Sequence, residues 1–436
     1  MDAIESIFRH FQMNTVDVQR KLNDDSSASA LFDMLLFYES TSLLNCSRNT
    51  MGASAWISLS QLVKRSERLH TLNASYNHIP DAVIPPFSRA LRSSLNLSVL
   101  HLEGCHLTGR SIALICAGLR TNQTLTELHL MDNKLTIPDT QHIRALLTLS
   151  KTLTLLDLRN NQIQDSGLFH LCDGLKHANC KLETLCLWNN QLTAVAMAPL
   201  TEALLENKTL SMLNLGQNAI MDQGASTLKM GLQGNSTLRR LGLVGCKLSD
   251  CGVIAIAEYL AESSAIQRLD LRNNDISLGG LMALSLSARE NKSAKRIDLD
   301  KPAKDPDLPQ ELLQRQNELW DDLGLYAMRN RGAEMTRTMS EATVTSPAAQ
   351  NGEHQTIEFD YRDEPTQLCS KPIPISPKQA LDELDVEKSL PPASPPKDEE
   401  GSLPLESEEN PLDLHVSRDE VDTHEKFDVQ SEGLSE

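Results

Sequence analysis

The sequence predicts an α/β solenoid in which short parallel strands alternate with helices, and two observations support this prediction. The stretch LETLCLWNNQL (182–192) has the pattern L-x-x-L-x-L-x-x-N-x-L, with Asn190 at the asparagine position. The same position recurs every 28 residues, apart from one interval of 29, at Asn49, Asn77, Cys105, Asn133, Asn161, Asn190, Asn218, Cys246, Asn274 and Pro302. One such unit cannot bury its own apolar face, so we expect the copies to stack on one another.

The pattern is typical of leucine-rich repeats, and a period of 28 residues leaves room for a helix after each strand. Apolar residues with helical spacing occur in the intervals, for example Val253, Ile256 and Leu260. A strict alternation of strand and helix predicts a ribonuclease-inhibitor-like horseshoe, with a parallel sheet inside and helices outside.

The composition divides the chain into three parts. We predict a repeat solenoid over 1–300, a C-terminal capping helix over 301–330 and a disordered acidic tail rich in Pro and Ser over 331–436. The tail holds 25 of the 59 Asp and Glu residues but 9 of the 41 Lys and Arg residues, and it has almost no aromatic residues. At the other end, a helix and a degenerate strand precede the first clear repeat. Either this helix caps the open edge of the sheet or the sequence begins inside a longer protein, and we favour the second interpretation.

Charge and cysteine usage limit the possible partners and the compartment. Because residues 1–330 are almost neutral, we expect no nucleic-acid partner. The sequence has no run of 18 apolar residues and no signal-peptide layout, so we expect no membrane association. The nine cysteines lack paired spacing, which favours the cytosol, with the nucleus as an alternative. We expect a monomer.

Several residues resemble functional motifs but fit structural roles better. Four N-x-[ST] asparagines each lie 11 residues before a repeat's asparagine position, which favours helix ends in a left-handed conformation over glycosylation: Asn122, Asn207, Asn235 and Asn291. Cys105 and Cys246 replace the repeat asparagine, and we expect them to be structural. His101 and His129 occupy equivalent positions in adjacent repeats, and either Glu103 or Glu127 could complete a metal site. Ordinary surface histidines are the preferred interpretation.

The sequence gives no support for catalysis. It has no nucleophile elbow, phosphate loop, HExxH motif or paired CxxC motif. We therefore expect no catalytic residues, no cofactor and no bound metal.

The residues that alternate with the core leucines are predicted to line the concave face of the horseshoe. Trp188 stands in the middle repeats, flanked by Met131 and Met212, with Arg159 and Asp157 one repeat away. Aromatic residues, Met and Arg are enriched at protein interfaces, so these five residues form the predicted partner-binding site. The later repeats carry columns of Arg and Asp, which we expect to pair with one another.

Several segments are similar to the protein phosphatase 1 regulatory subunit 37 family of leucine-rich repeat proteins. They include SALFDMLLFYES (29–40), LDLRNNQIQDSGL (156–168) and GGLMALSLSARENKSAKRIDLD (279–300), and the resemblance covers about residues 1–330. It implies a non-enzymatic regulatory subunit that binds and inhibits the phosphatase catalytic subunit.

The resemblance also implies a short docking peptide, basic-Val-x-Phe, ahead of the repeats. The sequence has no such peptide, and its nearest approach, Arg296-Ile297-Asp298-Leu299, falls in a predicted strand. Two alternatives remain: a general repeat scaffold, and a GTPase-activating repeat protein, because one such family also joins repeats of this length to an acidic tail.

Overall fold

The repeat pattern folds into a ladder of short strands, as the sequence predicts. The computed structural model describes residues 2–11, 13–39, 41–301 and 309–342. Within these residues an 11-stranded parallel sheet follows chain order. Its strands are β1 Thr15–Asp17, β2 Leu43–Asn45, β3 Thr71–Asn73, β4 Val99–His101, β5 Glu127–His129, β6 Leu155–Asp157, β7 Thr184–Cys186, β8 Met212–Asn214, β9 Arg240–Gly242, β10 Arg268–Asp270 and β11 Arg296–Asp298.

A helix follows each strand, and neighbouring helices pack side by side. The helices are α1 Asp2–His10, α2 Asp25–Tyr38, α3 Ala53–Arg65, α4 Ile84–Arg92, α5 Arg110–Leu119, α6 Ile137–Leu149, α7 Gln164–Lys176, α8 Met197–Glu206, α9 Met221–Gln233, α10 Asp250–Glu262, α11 Leu278–Glu290 and α12 Gln310–Ala342. Short 3-10 turns, Asp81–Val83 and Ala194–Ala196, precede α4 and α8. No helix among the described residues is both long and apolar enough to cross a membrane.

The core lies between the sheet and the helices. The middle residue of each strand points into it; Leu128, Leu156 and Leu213, for example, are completely buried. Neighbouring strands are in register, so that Leu128 pairs with Leu156 and with Leu100. The first and third residues of each strand therefore share the opposite side of the sheet, which we call the open face. It corresponds to the face that the sequence predicts to be concave.

The repeat asparagines link each repeat to its neighbours through buried hydrogen bonds. The side-chain amide of Asn218 donates to the carbonyls of Leu187 and Leu215, and its Oδ1 accepts from the backbone N–H groups of Asn190 and Leu192. Cys105 and Cys246 occupy the same position and direct their thiols at the carbonyls of Ala74 and Leu215, which confirms a structural role. The buried Oδ1 of Asn190 has no hydrogen-bond partner in the described part of the chain.

A second set of asparagines joins the repeats where the helices end. Asn207 donates to the carbonyl of Leu175 in the preceding repeat and accepts from the backbone N–H of Leu210. Asn122, Asn235 and Asn291 make equivalent bonds. The structural role is as predicted, but the left-handed conformation is wrong: Asn207 and Asn291 have extended backbone. The buried side chain itself satisfies the free backbone groups, so no left-handed turn is needed.

Aspartates at the starts of helices form a third link that the sequence reading missed. Asp222 of α9 accepts from the backbone N–H groups of Ser249 and Gly252, at the start of α10. Asp250 in turn accepts from the backbone N–H of Ser277 ahead of α11. A carboxylate at a helix N-terminus satisfies free N–H groups and favours the helix dipole, so each of these helices caps the next one.

The last helix differs from its prediction in length. Helix α12 packs on α11 and β11 and buries Leu319, Leu323 and Ala327. The side chain of Asn330 donates to the carbonyls of Asn291 and Ala294 in the final repeat. The helix continues to Ala342, beyond residue 330, where the predicted capping helix ends. The remainder of the predicted disordered tail lies outside the described residues.

Leu213→Ala tests the core register. It removes a completely buried side chain from β8, and we expect it to lower the free energy of unfolding by about 2–5 kcal/mol. Leu149→Ala is the matched control, because Leu149 is 53% exposed. Equal melting temperatures for the two variants would contradict the register.

Asn218 tests the asparagine ladder. We expect Asn218→Ala to destabilise the protein by about 2 kcal/mol or more, because each buried polar group left without a partner costs about 1–3 kcal/mol. Asn218→Cys should cost less, since Cys105 and Cys246 already fill this position. Chemical denaturation measures both variants, and an Asn218→Cys variant no more stable than Asn218→Ala would refute the comparison.

Candidate partner-binding surface

The five predicted partner-binding residues lie in three adjacent columns that run along the open face. The first and third strand positions form two columns, and the residue two positions beyond each strand forms the third. The third column reads Glu103, Met131, Arg159, Trp188, Gly216, Val244 and Arg272 across successive repeats. The structure thus places all five predicted residues on this face, but it buries them to different extents.

Trp188 is half-buried rather than freely exposed. Its ring lies over Gly216 of the next repeat, where an added Cβ would approach ring atom Cε3 to 2.3 Å. The Trp188 side chain therefore packs against the next repeat and does not face solvent alone. Gly216 lacks a side chain and so leaves space for the indole, which is held in place while part of its surface stays accessible.

The two methionines and the neighbouring cysteine contribute less accessible surface than expected. Met131 is half-buried, whereas Met212 is 9% exposed and Cys186 is 7% exposed. The predicted apolar patch around Trp188 is therefore smaller than the sequence suggests. Alternation along a strand gives the direction of a side chain, but crowding between neighbouring strands decides its exposure.

Asp157 is a buried partner of Arg159 and is not a surface residue. It is 2% exposed, and Arg159 approaches it through Nε at 2.9 Å and through a terminal nitrogen at 2.6 Å. Burial alone would raise the pKa of the Asp157 carboxyl, but His129 and Arg159 outweigh burial and lower it below its ordinary value. Asp157 therefore offers almost no surface of its own to a partner, and it holds Arg159 in place through this ion pair.

The histidine pair is more buried than the sequence interpretation allowed. The rings of His101 and His129 stack with centroids 4.1 Å apart and planes 15° apart. His129 is 8% exposed, so the description as ordinary surface histidines is wrong. Burial would lower the pKa of His129, but the carboxylates of Asp157 and Glu127 outweigh it and raise the pKa. For His101, burial is the dominant influence and lowers the pKa.

The columns of Arg and Asp in the last repeats pair with each other, as predicted. Arg268 contacts Asp298 at 3.0 Å, and Arg272 contacts Asp270 at 2.6 Å. Arg296 also contacts Asp298, at 2.7 Å. Because both signs of charge are neutralised locally, this end of the open face offers little net charge to a ligand.

A further polar group near the open face was not found by sequence reasoning. The Arg48 guanidinium lies 4.1 Å from the centre of the Tyr76 ring, and the Tyr76 hydroxyl donates to Asp132 at 2.8 Å. Arg48, Tyr76 and Asp132 occupy equivalent positions in their repeats, each one residue before the repeat asparagine. Each of the three has a positive φ. A comparison of that position across repeats would have revealed the column.

The variant Asp157→Ala tests the buried ion pair between Asp157 and Arg159. Asp157→Ala leaves a half-buried guanidinium without its carboxylate, and we expect it to lower the free energy of unfolding by about 3–5 kcal/mol. Asp173→Ala is the control, because Asp173 pairs with Arg144 at the surface and exposed pairs contribute about 0–1 kcal/mol. A similar loss of stability in both variants, measured by denaturant titration, would show that Asp157 is not a buried anchor.

Comparison with protein-family models agrees with the repeat fold. The family model described as Leucine Rich repeat matches residues 121–136, 149–172, 234–257 and 263–285. Among solved structures, the tropomodulin C-terminal domain from Caenorhabditis elegans is 16% identical, with a TM-score of 0.34, over 39% of this chain and 98% of that chain.

Several similar curated proteins are named protein phosphatase 1 regulatory subunit 37. The chain is 38% identical over 214 residues to a protein phosphatase 1 regulatory subunit 37 homolog from Caenorhabditis elegans, covering 48% of this chain and 23% of the relative. It is 43% identical over 205 residues to protein phosphatase 1 regulatory subunit 37 from Danio rerio, covering 47% of this chain and 22% of the relative. The match thus spans less than a quarter of either relative. The chain contains leucine-rich repeats and is similar to proteins named protein phosphatase 1 regulatory subunit 37.

Proposed function

We propose that this chain is a non-catalytic regulatory module that binds the catalytic subunit of protein phosphatase 1 through the open face and inhibits it. The similarity to relatives named as regulatory subunits of that phosphatase carries the proposal. We also propose that the protein is located in the cytosol or the nucleus.

The open face suits a protein partner for physical reasons. Strands in register, with core leucines completely buried behind them, hold its side chains on a rigid backbone. A preorganised surface loses little conformational freedom on binding. Trp188 adds a large aromatic side chain whose position Gly216 fixes in advance, and aromatic residues held in this way commonly dominate binding energy.

Direct binding and phosphatase assays test the function. The purified full chain should bind the purified phosphatase 1 catalytic subunit in biolayer interferometry, and it should slow dephosphorylation of a phosphopeptide at saturating concentration. Absence of binding would refute the proposal. Binding without a change in turnover would refute inhibition alone. Acceleration of GTP hydrolysis by an added GTPase, without phosphatase binding, would favour the GTPase-activating alternative.

Trp188→Ala tests the surface within this proposal. We expect the dissociation constant for the catalytic subunit to rise by about tenfold or more, because interface anchors contribute about 2 kcal/mol or more. Phe169→Ala is the matched control: Phe169 lies on α7 of the same region and is 60% exposed. Unchanged affinity of the Trp188 variant, or an equal loss in both variants, would remove Trp188 from the interface.

A further inference from the structure

A cluster of nitrogen and oxygen donors on the open face has a composition and spacing suited to a metal ion. His101, Glu103 and His129 each offer one ligand atom, and these atoms all lie within 4.8 Å of one another. We propose that these three residues bind a divalent transition-metal ion such as Zn²⁺. Two imidazoles and one carboxylate form a common set of zinc ligands.

The strand ladder positions the two histidines. His101 and His129 are paired residues of β4 and β5, and each follows a completely buried leucine, Leu100 or Leu128. Their backbones are therefore fixed, and the stacked rings approach to 4.1 Å. Tetrahedral zinc with ligand distances of about 2.0–2.2 Å needs donor atoms about 3.3 Å apart. The donor atoms, now within 4.8 Å of one another, would therefore have to move closer, and the two rings would have to rotate out of their stack so that their nitrogen lone pairs converge on the ion.

The ion pairs of the histidine cluster are longer than the arginine–aspartate pairs elsewhere on the open face. The arginine–aspartate pairs close to 2.6–3.0 Å. In contrast, His101 lies 3.4 Å from Glu103, and His129 lies 3.7 Å from Glu127 and 3.6 Å from Asp157. Nε2 of His129 is buried and has no hydrogen-bond partner among the described residues. A buried polar atom without a partner is costly, and coordination to a cation would satisfy it.

The local charge also favours a cation. Glu103 pairs with His101, and Glu127 pairs with His129. Arg159 neutralises Asp157 on the far side of His129. When both imidazoles are neutral, as metal ligands must be, the two glutamates give the cluster an excess of negative charge that a dication would balance. Three protein ligands leave a fourth position open, which water or a carboxylate of a bound partner could occupy.

Zinc titration of the full chain tests the site. The protein is first treated with a chelator and carries Cys251→Ser, because Cys251 is an exposed free thiol. Calorimetric titration with ZnCl₂ should show one bound equivalent. His101→Gln and Glu103→Gln should each weaken this binding by about tenfold or more, since the loss of even an outer partner of a metal ligand costs about 10–100-fold. Binding of Co²⁺ should produce visible absorption bands that the two variants lose.

His78→Gln is the matched control, because His78 is an exposed histidine outside the cluster. It should retain full Zn²⁺ binding, and Zn²⁺ should raise its melting temperature as it does for the parent. Circular dichroism identifies any variant that does not fold, and Glu103→Gln then carries the test because it replaces an oxygen ligand with a side chain of equal size. Zn²⁺ binding of equal strength in all variants, or no binding by the parent, would overturn the proposal.

Discussion

The buried asparagine that follows each strand is the interaction on which the structure depends. A strand of three residues makes few hydrogen bonds, and the turn after it leaves backbone groups inside the core. The side chain of Asn218 satisfies carbonyls in its own repeat and in the one before, and it accepts N–H groups from that earlier repeat. Each repeat is thereby bonded to the next one, and the leucines are brought into register. Unpaired groups at these positions would oppose burial of the core.

Much of the fold was predictable because it repeats. The spacing of Leu and Asn gives the strand register and the side of the sheet on which Trp188 and Arg159 lie. The spacing could not give the end of α12, because composition changes near residue 331 while the helix continues to Ala342. It also could not show how Asp222 caps the following helix, since that bond joins residues 27 and 30 positions apart.

The sequence predicted the face of the sheet on which the candidate residues lie, but it did not predict how much of each side chain is exposed. All five predicted residues lie on the open face, yet Asp157 and Met212 are buried there. The reason is that side chains in a column stand about 4.8 Å apart, so large neighbours cover one another and only a small one leaves space. Gly216 makes that space for Trp188. His129 has large neighbours in its column and beside it, and it is buried with three carboxylates close by.

The structure of the chain bound to the catalytic subunit of protein phosphatase 1 tests the central claim most directly. We expect the catalytic subunit to lie on the open face, with Trp188 in the interface and the register of β5 to β8 unchanged. A complex in which the catalytic subunit contacts only the helices, or only residues beyond Ala342, would contradict the account.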